Sequence, residues 1–561
     1  MGTILSTSLT FLVLAVPTAS AQVELAGSWE GAISDGTRSV RTVLHLSPDD
    51  EGRLVGTVDS PEQNAFGLGL SEVAFAEGAL SFRVPDTNGA WTGKLDSESG
   101  LLIGIWKQRG ADLELVLERI DVDPLVGTWS GKGDFGPIEL RIVFHVGTRA
   151  DGSFGASMVS PDQSPAYVPV TSVSVGEDGT LSLEVSTISA RYEGRPNAEC
   201  TRIEGHLLQG GGKFKLNLEK IGGVAAPARP QTPTPPFLYR EEQVTYTNEA
   251  AGNRLAGTLT LPQENGPFPA VLLISGSGQQ DRNEEIFGHK PFHVIADHLT
   301  RNGIAVLRVD DRGIGGSTGD VLEATSADFA SDAEAGVTYL RTRNDIRAGA
   351  IGLVGHSEGG MIGPMVAVER DDIAFLVLLA GVGIPGDELL YRQAALLARA
   401  GGAGEALVAA NRKMQEELFQ LLREEFDRRK VRNKSKEILT RHLGDRGNAQ
   451  LPSVTTAWFQ YFVNYDPAPI LEQVACPVLA LNGSKDLQVP ARENLEAIAA
   501  ALEAGGNKDV ETKEYAGLNH LFQHCEKGTV GEYATIEETF APEVLEDMAT
   551  WIERQASHHD R

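Results

Sequence analysis

Ser357 lies at the centre of a G-x-S-x-G pattern over residues 355–359, a pattern able to carry a reactive serine. The preceding residues 350–354 are apolar and β-prone, and residues 360–369 are small and helix-compatible. The sequence therefore predicts a strand, a sharp turn and a helix, with Ser357 held out at the tip of the turn. The flanking glycines remove Cβ atoms where strand and helix crowd the turn. A serine presented in this way can attack a carbonyl carbon.

A serine hydroxyl needs a base to accept its proton and a third group to orient that base. Asp486 follows the apolar segment 477–483, which is typical of a buried parallel strand, and such a sheet places its site just past the carboxyl ends of its strands. His520 lies in the loop after the alternating segment 510–515. We predict a catalytic triad in which Ser357 is the nucleophile, His520 is the base and Asp486 orients His520.

The base and the acid have alternatives. His524 is a rival base, although it lies deeper in the segment that follows. His356, inside the turn itself, is expected to pack rather than to react. If the site were not catalytic, Asp486 would be an ordinary turn residue and His520 a histidine in a surface loop.

The residues around this triad resemble the α/β-hydrolase superfamily, and most of all the secreted bacterial serine esterases related to dienelactone hydrolase and prolyl-oligopeptidase-type domains. The resemblance covers residues 237–561 and implies an α/β-hydrolase fold, an acyl-enzyme intermediate and no cofactor. Ser275 stands where such enzymes often have a histidine. Four patterns carry the resemblance: residues 276–282, residues 310–317, the Ser357 turn, and residues 482–486 paired with residues 519–520.

The resemblance also implies an oxyanion hole made of backbone N–H groups. One donor belongs to the residue after the nucleophile, Glu358. The other comes from the glycine-rich loop after the apolar strand 269–274, which by position is Ser277. Gly278 and Gln279 are alternatives for the second donor, and a plain glycine-rich turn is the alternative without function.

Two further groups of residues in this region are expected to be structural. Asp281 and Arg282 can form a local ion pair that holds the glycine-rich loop. The stretch 310–317 is rich in aspartate and glycine, which suits a tight turn better than chemistry.

Composition limits the classes of function. Lys plus Arg is 49 and Asp plus Glu is 77, a net charge of −28 over 561 residues. This balance argues against nucleic acid or an anionic membrane surface as a partner. No Walker-type loop, HExxH or CxxC motif occurs, so no motif indicates a nucleotide or a metal. The three cysteines are scattered along the chain, and a disulfide bridge between Cys476 and Cys525 is possible. The sequence does not determine the oligomeric state.

The amino terminus has the pattern of a secretory signal. Residues 9–16 form an apolar core, and Ala19-Ser20-Ala21 is a typical cleavage site. No other stretch reaches the roughly 18 apolar residues of a membrane helix. We expect a secreted or periplasmic protein that begins near Gln22.

An internal repeat follows the signal. Residues 25–31 return at 125–131, and residues 60–63 return at 160–163, with an offset of 100. Each copy strings short alternating segments between turns, which predicts two all-β repeats of six to eight strands that faintly resemble lipocalin-like barrels. Such barrels either hold an apolar ligand or are packed solid, and we favour a solid, accessory role.

A proline-rich linker and a helical insertion complete the organisation. The linker carries five prolines, which favour an extended, semi-rigid chain. A long segment between two sheet strands has apolar residues at helical spacing, Leu407 and Phe426 among them, and predicts a helical cap at about 385–468. The predicted domains are the signal peptide 1–21, β repeats 22–122 and 123–222, the linker 223–236, and the hydrolase domain 237–561.

The sequence as a whole predicts a serine esterase acting on a small-molecule carboxylic ester. A peptidase or another acyl hydrolase on the same triad is one alternative. A lipid- or carbohydrate-binding protein with an inactive hydrolase domain is the other.

Overall fold

The structure is a computed structural model. It describes residues 25–34, 39–49, 53–76, 78–87, 89–96, 99–108, 111–134, 139–149, 151–161, 164–176, 178–209, 212–221, 229–444, 450–533 and 535–558. The predicted signal peptide and residues 223–228 of the predicted linker lie outside the described residues. The chain divides into two compact units, Met1–Ala228 and Arg229–Arg561.

The first unit contains two antiparallel, barrel-like sheets. The first sheet has the order β4-β3-β2-β1-β9-β8-β7-β6-β5. Its strands are β1 Gly27–Ser34, β2 Ser39–Pro48, β3 Leu54–Ser60, β4 Ala65–Gly69, β5 Ser71–Ala76, β6 Ala79–Val84, β7 Gly89–Leu95, β8 Leu102–Gln108 and β9 Ala111–Ile120.

The second sheet has the order β13-β12-β11-β10-β19-β17-β16-β15-β14, with β18 paired to β17. Its strands are β10 Gly127–Asp134, β11 Glu139–Thr148, β12 Phe154–Ser160, β13 Ser164–Pro169, β14 Ser172–Val175, β15 Leu181–Val185, β16 Ala190–Pro196, β17 Arg202–Gln209, β18 Gly212–Lys215 and β19 Leu218–Ile221.

The two sheets repeat one design. Gly27 pairs with Leu46 across β1 and β2, and Gly127 pairs with Val146 across β10 and β11. The prediction of six to eight strands per copy is wrong, because the described part of the chain forms nine and ten. Short strands such as β14, which is only four residues long, give too brief a pattern to be recognised as separate strands in the sequence.

Each sheet is filled mainly by its own side chains, and Tyr167 of the second copy also packs against the core of the first. In the first copy Trp29 is buried and donates its indole N–H to the Leu25 carbonyl at 3.0 Å; in the second, Trp129 donates to the Leu125 carbonyl at 2.8 Å. Trp91 is also fully buried in the core of the first sheet. Large apolar side chains therefore occupy the described interior of each sheet.

The second unit is built on one mixed sheet with helices. The order β20-β21-β23-β22-β24-β25-β26-β27 has parallel neighbours from β23 onward, and β20 and β21 form the antiparallel edge. The strands are β20 Arg240–Asn248, β21 Asn253–Leu261, β22 Phe268–Ile274, β23 Ala305–Val309, β24 Ile346–His356, β25 Leu376–Leu379, β26 Val478–Gly483 and β27 Val510–Tyr515.

The helices of this unit cover both faces of the sheet and form the insertion. Along β22, Leu272 contributes to one apolar cluster, and Val271 and Leu273 contribute to the other, so the strand reads as a continuous apolar run. The helices are α1 Pro291–Arg301, α2 Ser326–Arg341, α3 Gly359–Glu369, α4 Gly386–Ala400, α5 Glu405–Glu424, α6 Arg428–Leu443, α7 Leu451–Val454, α8 Ala457–Asn464, α9 Ala468–Leu471, α10 Ala491–Ala504, α11 Val530–Tyr533 and α12 Pro542–His558.

Helices α4 to α8 form the predicted cap between β25 and β26. They share an apolar cluster of their own that includes Met414, Phe419 and Leu422. Leu407 and Phe426 were expected on the apolar face, but they are 62% and 74% exposed. Leu407 lies in the first turn of α5 and Phe426 lies after α5 has ended at Glu424, so helical periodicity does not bury them.

The second unit begins before the predicted start at Phe237. Arg229 donates to the carbonyl oxygens of Ile536 and Phe287 at 2.6 and 2.8 Å, and Gln231 donates to the carbonyl oxygen of Phe540 at 2.7 Å. The later part of the proline-rich segment is therefore held by the hydrolase unit rather than spanning freely between units. Among the described residues, no helix combines the length and the apolar character needed to cross a bilayer.

Candidate active site

Ser357 occupies a tight turn between β24 and α3. Its φ of 53° lies in the left-handed region, which side chains usually avoid, and its backbone N–H donates to the Leu379 carbonyl at 2.8 Å. A Cβ on Gly355 would come within 2.0 Å of the Gly359 carbonyl oxygen. A Cβ on Gly359 would come within 2.1 Å of the Ile274 carbonyl oxygen. Only glycine fits on either side, and this close approach holds the serine at the tip of the turn.

Asp486 and His520 form a buried hydrogen-bonded pair. His520 Nδ1 lies 2.7 Å from Asp486 Oδ2, and the Asp486 side chain has no exposed surface. Asp486 Oδ1 accepts the backbone N–H groups of Gln488 and Val489, each at 2.8 Å. Because the carboxylate is fixed at both oxygens, it orients the imidazole and leaves Nε2 as the nitrogen able to accept a proton.

Ser357 and His520 line one cavity. Within the described part of the chain, Ser357 Oγ has no partner within hydrogen-bonding distance. The hydrogen bonds of catalytic groups often tighten only when substrate binds. The structure thus brings the three predicted residues to one place, and the Ser357–His520 contact remains a prediction.

The predicted oxyanion donors also line this cavity. Among the described residues, the backbone N–H groups of Ser277 and Glu358 have no acceptor within hydrogen-bonding distance. Gly278 and Gln279, the alternatives to Ser277, are not part of the cavity wall. The geometry therefore favours Ser277 and Glu358 as the proposed pair of donors.

Asp311 braces the loop that carries Ser277. Its Oδ1 accepts the Ser275 hydroxyl at 2.8 Å, and its Oδ2 accepts the Gln280 backbone N–H at 3.0 Å. Burial raises the pKa of Asp311 to about 7, although these hydrogen bonds oppose the rise. Ser275, the residue in place of the usual histidine, is thereby tied to the turn after β23.

The expected Asp281–Arg282 ion pair is replaced by a different one. Arg282 pairs with Asp310, with Nη2 and Oδ2 2.6 Å apart. Asp281 instead accepts the backbone N–H groups of Asn283 and Glu285, each at 3.0 Å. Because the Asp281 carboxylate is directed at the backbone of the turn that follows it, Arg282 pairs with Asp310 in the loop after β23 instead.

The Glu358 side chain ties the turn to the cap. Its Oε1 accepts the Ser326 hydroxyl at 2.6 Å and the Trp458 indole N–H at 2.7 Å. Burial raises the pKa of this carboxyl group, and the two hydrogen bonds oppose the rise. Sequence reasoning missed this link, because its partners lie 32 and 100 residues away and carry no local pattern.

The cavity is closed on one side by the cap. Its volume is about 780 Å³ including the open mouth. Of the aromatic residues at the end of the insertion, Trp458 and Phe462 line the cavity, and Phe459 packs edge-on against Phe419 inside the cap. Other apolar residues of the cavity wall are Ile286, Val382, Leu389, Leu390, Val489 and Leu521.

Other candidate groups lie outside the site. His524, the rival base, is bonded to Glu538 and its side chain is 57% exposed. Cys476 and Cys525 are free thiols, as is Cys200. Among the described residues, no group of three or more His, Cys, Asp or Glu side chains is arranged to hold a metal ion.

Comparison with known proteins agrees with this architecture. The family model for X-Pro dipeptidyl-peptidase (S15 family) matches residues 251–523, a range that contains Ser357, Asp486 and His520. The C-terminal half of this chain is an α/β-hydrolase domain. Esterase EstD of Thermotoga maritima is 28% identical to the chain over 321 residues, which are 56% of this chain and 68% of EstD.

Two solved structures are similar to the chain at lower sequence identity. Est1E from Butyrivibrio proteoclasticus, bound to ferulic acid, is 19% identical with a TM-score of 0.34, covering 56% of this chain and 99% of Est1E. The esterase Pf2001 of Pyrococcus furiosus is 15% identical with a TM-score of 0.36, covering 57% of this chain and 92% of Pf2001.

Proposed function

We propose that the hydrolase domain is a serine esterase that cleaves carboxylic esters through Ser357, His520 and Asp486. The observation that carries the proposal is the 2.7 Å Asp486–His520 pair beside a serine in a left-handed turn, in one cavity with two unpaired N–H groups. The similarity to Esterase EstD supports the same reaction class.

The reaction follows from this arrangement. Ser357 Oγ attacks the ester carbonyl carbon while His520 Nε2 takes the hydroxyl proton. The carbonyl oxygen becomes negative and accepts the backbone N–H groups of Ser277 and Glu358. The bond between the carbonyl carbon and the alkoxy oxygen then breaks, and His520 gives its proton to the leaving alkoxide. Water attacks the acyl-enzyme by the same steps and releases the acid.

The cavity wall favours an uncharged acyl group. Its ionisable side chains are Glu284, Glu358, His356 and His520, and each of them is engaged in hydrogen bonds within the protein. The remaining wall is mainly aliphatic and aromatic, with Trp458 and Phe462 from the cap. We propose esters of apolar or aromatic acids as the substrate class.

A peptidase is the second candidate, because the matching family model describes an X-Pro dipeptidyl-peptidase. A peptidase that recognises a free amino terminus needs a carboxylate available to the substrate ammonium. The two carboxyl groups of the cavity wall, Glu284 and Glu358, are only 4% and 3% exposed, and this burial favours the esterase.

A substrate panel separates the two candidates. Acyl p-nitrophenyl esters of two to twelve carbons are compared with Gly-Pro p-nitroanilide, and kcat/KM is measured for each. The esterase proposal predicts hydrolysis of the esters and negligible release of p-nitroaniline. A higher kcat/KM for the dipeptide anilide would assign the site to a peptidase.

We also propose that the protein is exported, on the apolar segment 9–16 and the Ala19-Ser20-Ala21 site. Fractionation of producing cells followed by amino-terminal sequencing tests this. An exported protein beginning near Gln22 is expected, and an uncleaved chain in the cytoplasm would contradict it.

A further inference from the structure

A second histidine lies directly against the catalytic one. The rings of His356 and His520 are 4.8 Å apart, and His356 is 6% exposed. His356 Nδ1 lies 2.9 Å from Glu284 Oε1, and Glu284 is 4% exposed. From its sequence position His356 was expected only to pack, and Glu284 had no predicted role.

His356 has acceptors at both of its nitrogens. Nε2 lies 3.0 Å from the backbone carbonyl oxygen of His520, and Nδ1 faces the Glu284 carboxylate. Carbonyl and carboxylate oxygens only accept, so both nitrogens donate and the ring carries a positive charge. Burial lowers the pKa of His356, but Glu284 and the His520 carbonyl raise it, and the net direction is upward.

Glu284 also holds the loop that carries the proposed oxyanion donor. The same Oε1 atom accepts the Gly276 backbone N–H at 2.6 Å. Gly276 lies against the nucleophile, because a Cβ placed on it would be 3.2 Å from Ser357 Cβ. One carboxylate oxygen therefore connects the oxyanion loop, through His356, to the backbone of the catalytic histidine.

The backbone of Glu284 indicates that its side chain is needed there. Its φ of 52° lies in the left-handed region, where glycine or asparagine is the usual choice. A glutamate in this conformation carries a cost in backbone strain. The two hydrogen bonds to Oε1 offset that cost and would be lost with glycine.

We propose that Glu284 and His356 are positioning residues that fix the backbones of Gly276 and His520 around the reacting centre. The proposal rests on the proposed serine hydrolase function of Ser357. Neither residue exchanges a proton with substrate. Their effect is geometric, and a displacement of about 1 Å in such a site can cost about 10²-fold in rate.

Glu284→Gln tests the pair with little change of shape. The amide oxygen can still accept the Gly276 N–H, but the negative charge that keeps His356 protonated is gone. A neutral His356 has a single N–H and cannot donate both to position 284 and to the His520 carbonyl. We expect kcat to fall about 10²-fold with KM within about twofold.

The assay counts active sites, so that loss of folded protein is not mistaken for loss of rate. A fluorophosphonate that labels Ser357 gives the number of competent sites, and kcat is expressed per labelled serine. A double-mutant cycle completes the test: kcat per labelled serine is compared for Glu284→Gln, for His356→Gln and for the double variant. Residues that act as one unit give a double variant no slower than the slower single variant.

A matched control exists on the surface. His524 Nδ1 lies 2.9 Å from Glu538 Oε2, the same residue types at the same distance, but away from the cavity. Glu538→Gln and His524→Gln should leave kcat unchanged.

The outcomes are distinguishable. A Glu284→Gln enzyme with full kcat per labelled serine would overturn the proposal, whether or not its melting temperature falls. If Glu284→Gln is insoluble, Glu284→Asp takes its place, since it keeps the charge but withdraws the oxygen by one methylene. Full activity of Ser357→Ala would instead overturn the proposed function and leave the pair a structural one.

Discussion

Asp486 contacts His520 through one carboxylate oxygen and two backbone N–H groups through the other. These two backbone N–H groups therefore determine the orientation of an asparagine side chain introduced at position 486. Asp486→Asn would keep its oxygen on the Gln488 and Val489 N–H groups, and its NH₂ group would face His520 Nδ1. That donor forces the proton of the neutral ring to Nε2, which is the wrong tautomer for a base.

We therefore predict that Asp486→Asn lowers kcat by about 10⁴-fold with a nearly unchanged melting temperature. Steady-state kinetics on a short acyl ester measures the effect, and thermal unfolding by circular dichroism is the control. Wild-type-like kinetics would mean that another carboxylate orients His520.

The sequence predicts a residue's place when the place depends on local pattern. Ser357, Asp486 and His520 each follow a strand that can be recognised from its sequence pattern, and the structure brings the three residues to one end of the sheet. The supporting contacts have no such signal, because Glu284 bonds a residue 72 positions away and Asp311 one 36 positions away. Side chains that meet only after folding cannot be paired from spacing.

Among the elements, the cap decides the shape of the acyl pocket. Helix α8 presents Trp458 and Phe462 to the cavity, and Tyr461 on the same helix stacks on Tyr465 outside the cavity wall. The existence of the cap follows from its helical spacing. Helical spacing does not predict which apolar residues of the cap are exposed, because an apolar residue beyond a helix end, such as Phe426, has no surface to pack on.

Trp458→Ala should shift chain-length preference towards longer acyl groups. The change removes an indole from the cavity wall and opens space for a longer chain. We expect the ratio of kcat/KM for a C8 ester to that for a C2 ester to rise about tenfold, as one or two further buried methylenes contribute about 0.8 kcal/mol each. Tyr461→Ala is the matched control, and an equal shift in that variant would show that Trp458 does not shape the pocket.

At the scale of the whole molecule, the two compact units suggest separable folding. A chain from Arg229 to Arg561 retains the Arg229 and Gln231 hydrogen bonds, whereas a chain starting at Phe237 loses them. We predict that the longer fragment hydrolyses a small ester at the full-length kcat and that the shorter one melts several degrees lower, since each lost bond costs about 1 kcal/mol. Equal melting temperatures would show that these contacts contribute nothing.

The β unit should lose stability in mild acid because of His145. Burial lowers the pKa of His145 to about 4, and the attraction of Asp59 and the repulsion of His45 are smaller effects. The unfolded chain, with an ordinary histidine pKa of about 6.5, binds more protons between these values, so stability falls as pH drops from about 6.5 to 4. The loss is at most about 3 kcal/mol.

Urea unfolding followed by tryptophan fluorescence measures this loss, because Trp29, Trp91, Trp106 and Trp129 all lie in the β unit. His145→Gln should flatten the pH dependence between pH 6.5 and 4. His206→Gln, at a half-exposed histidine of the same unit, should leave it unchanged. An undiminished acid loss in His145→Gln would assign the effect to other groups.

Covalent labelling of the nucleophile tests the central claim most directly. The full-length protein is treated with a fluorophosphonate, digested, and mapped by mass spectrometry, and residual ester hydrolysis is measured in parallel. We predict one label per chain, on Ser357, with activity falling in proportion to labelling, and neither label nor hydrolysis in Ser357→Ala. A label on Ser277 or Ser317, or ester hydrolysis that persists in Ser357→Ala, would contradict the assignment of the active site.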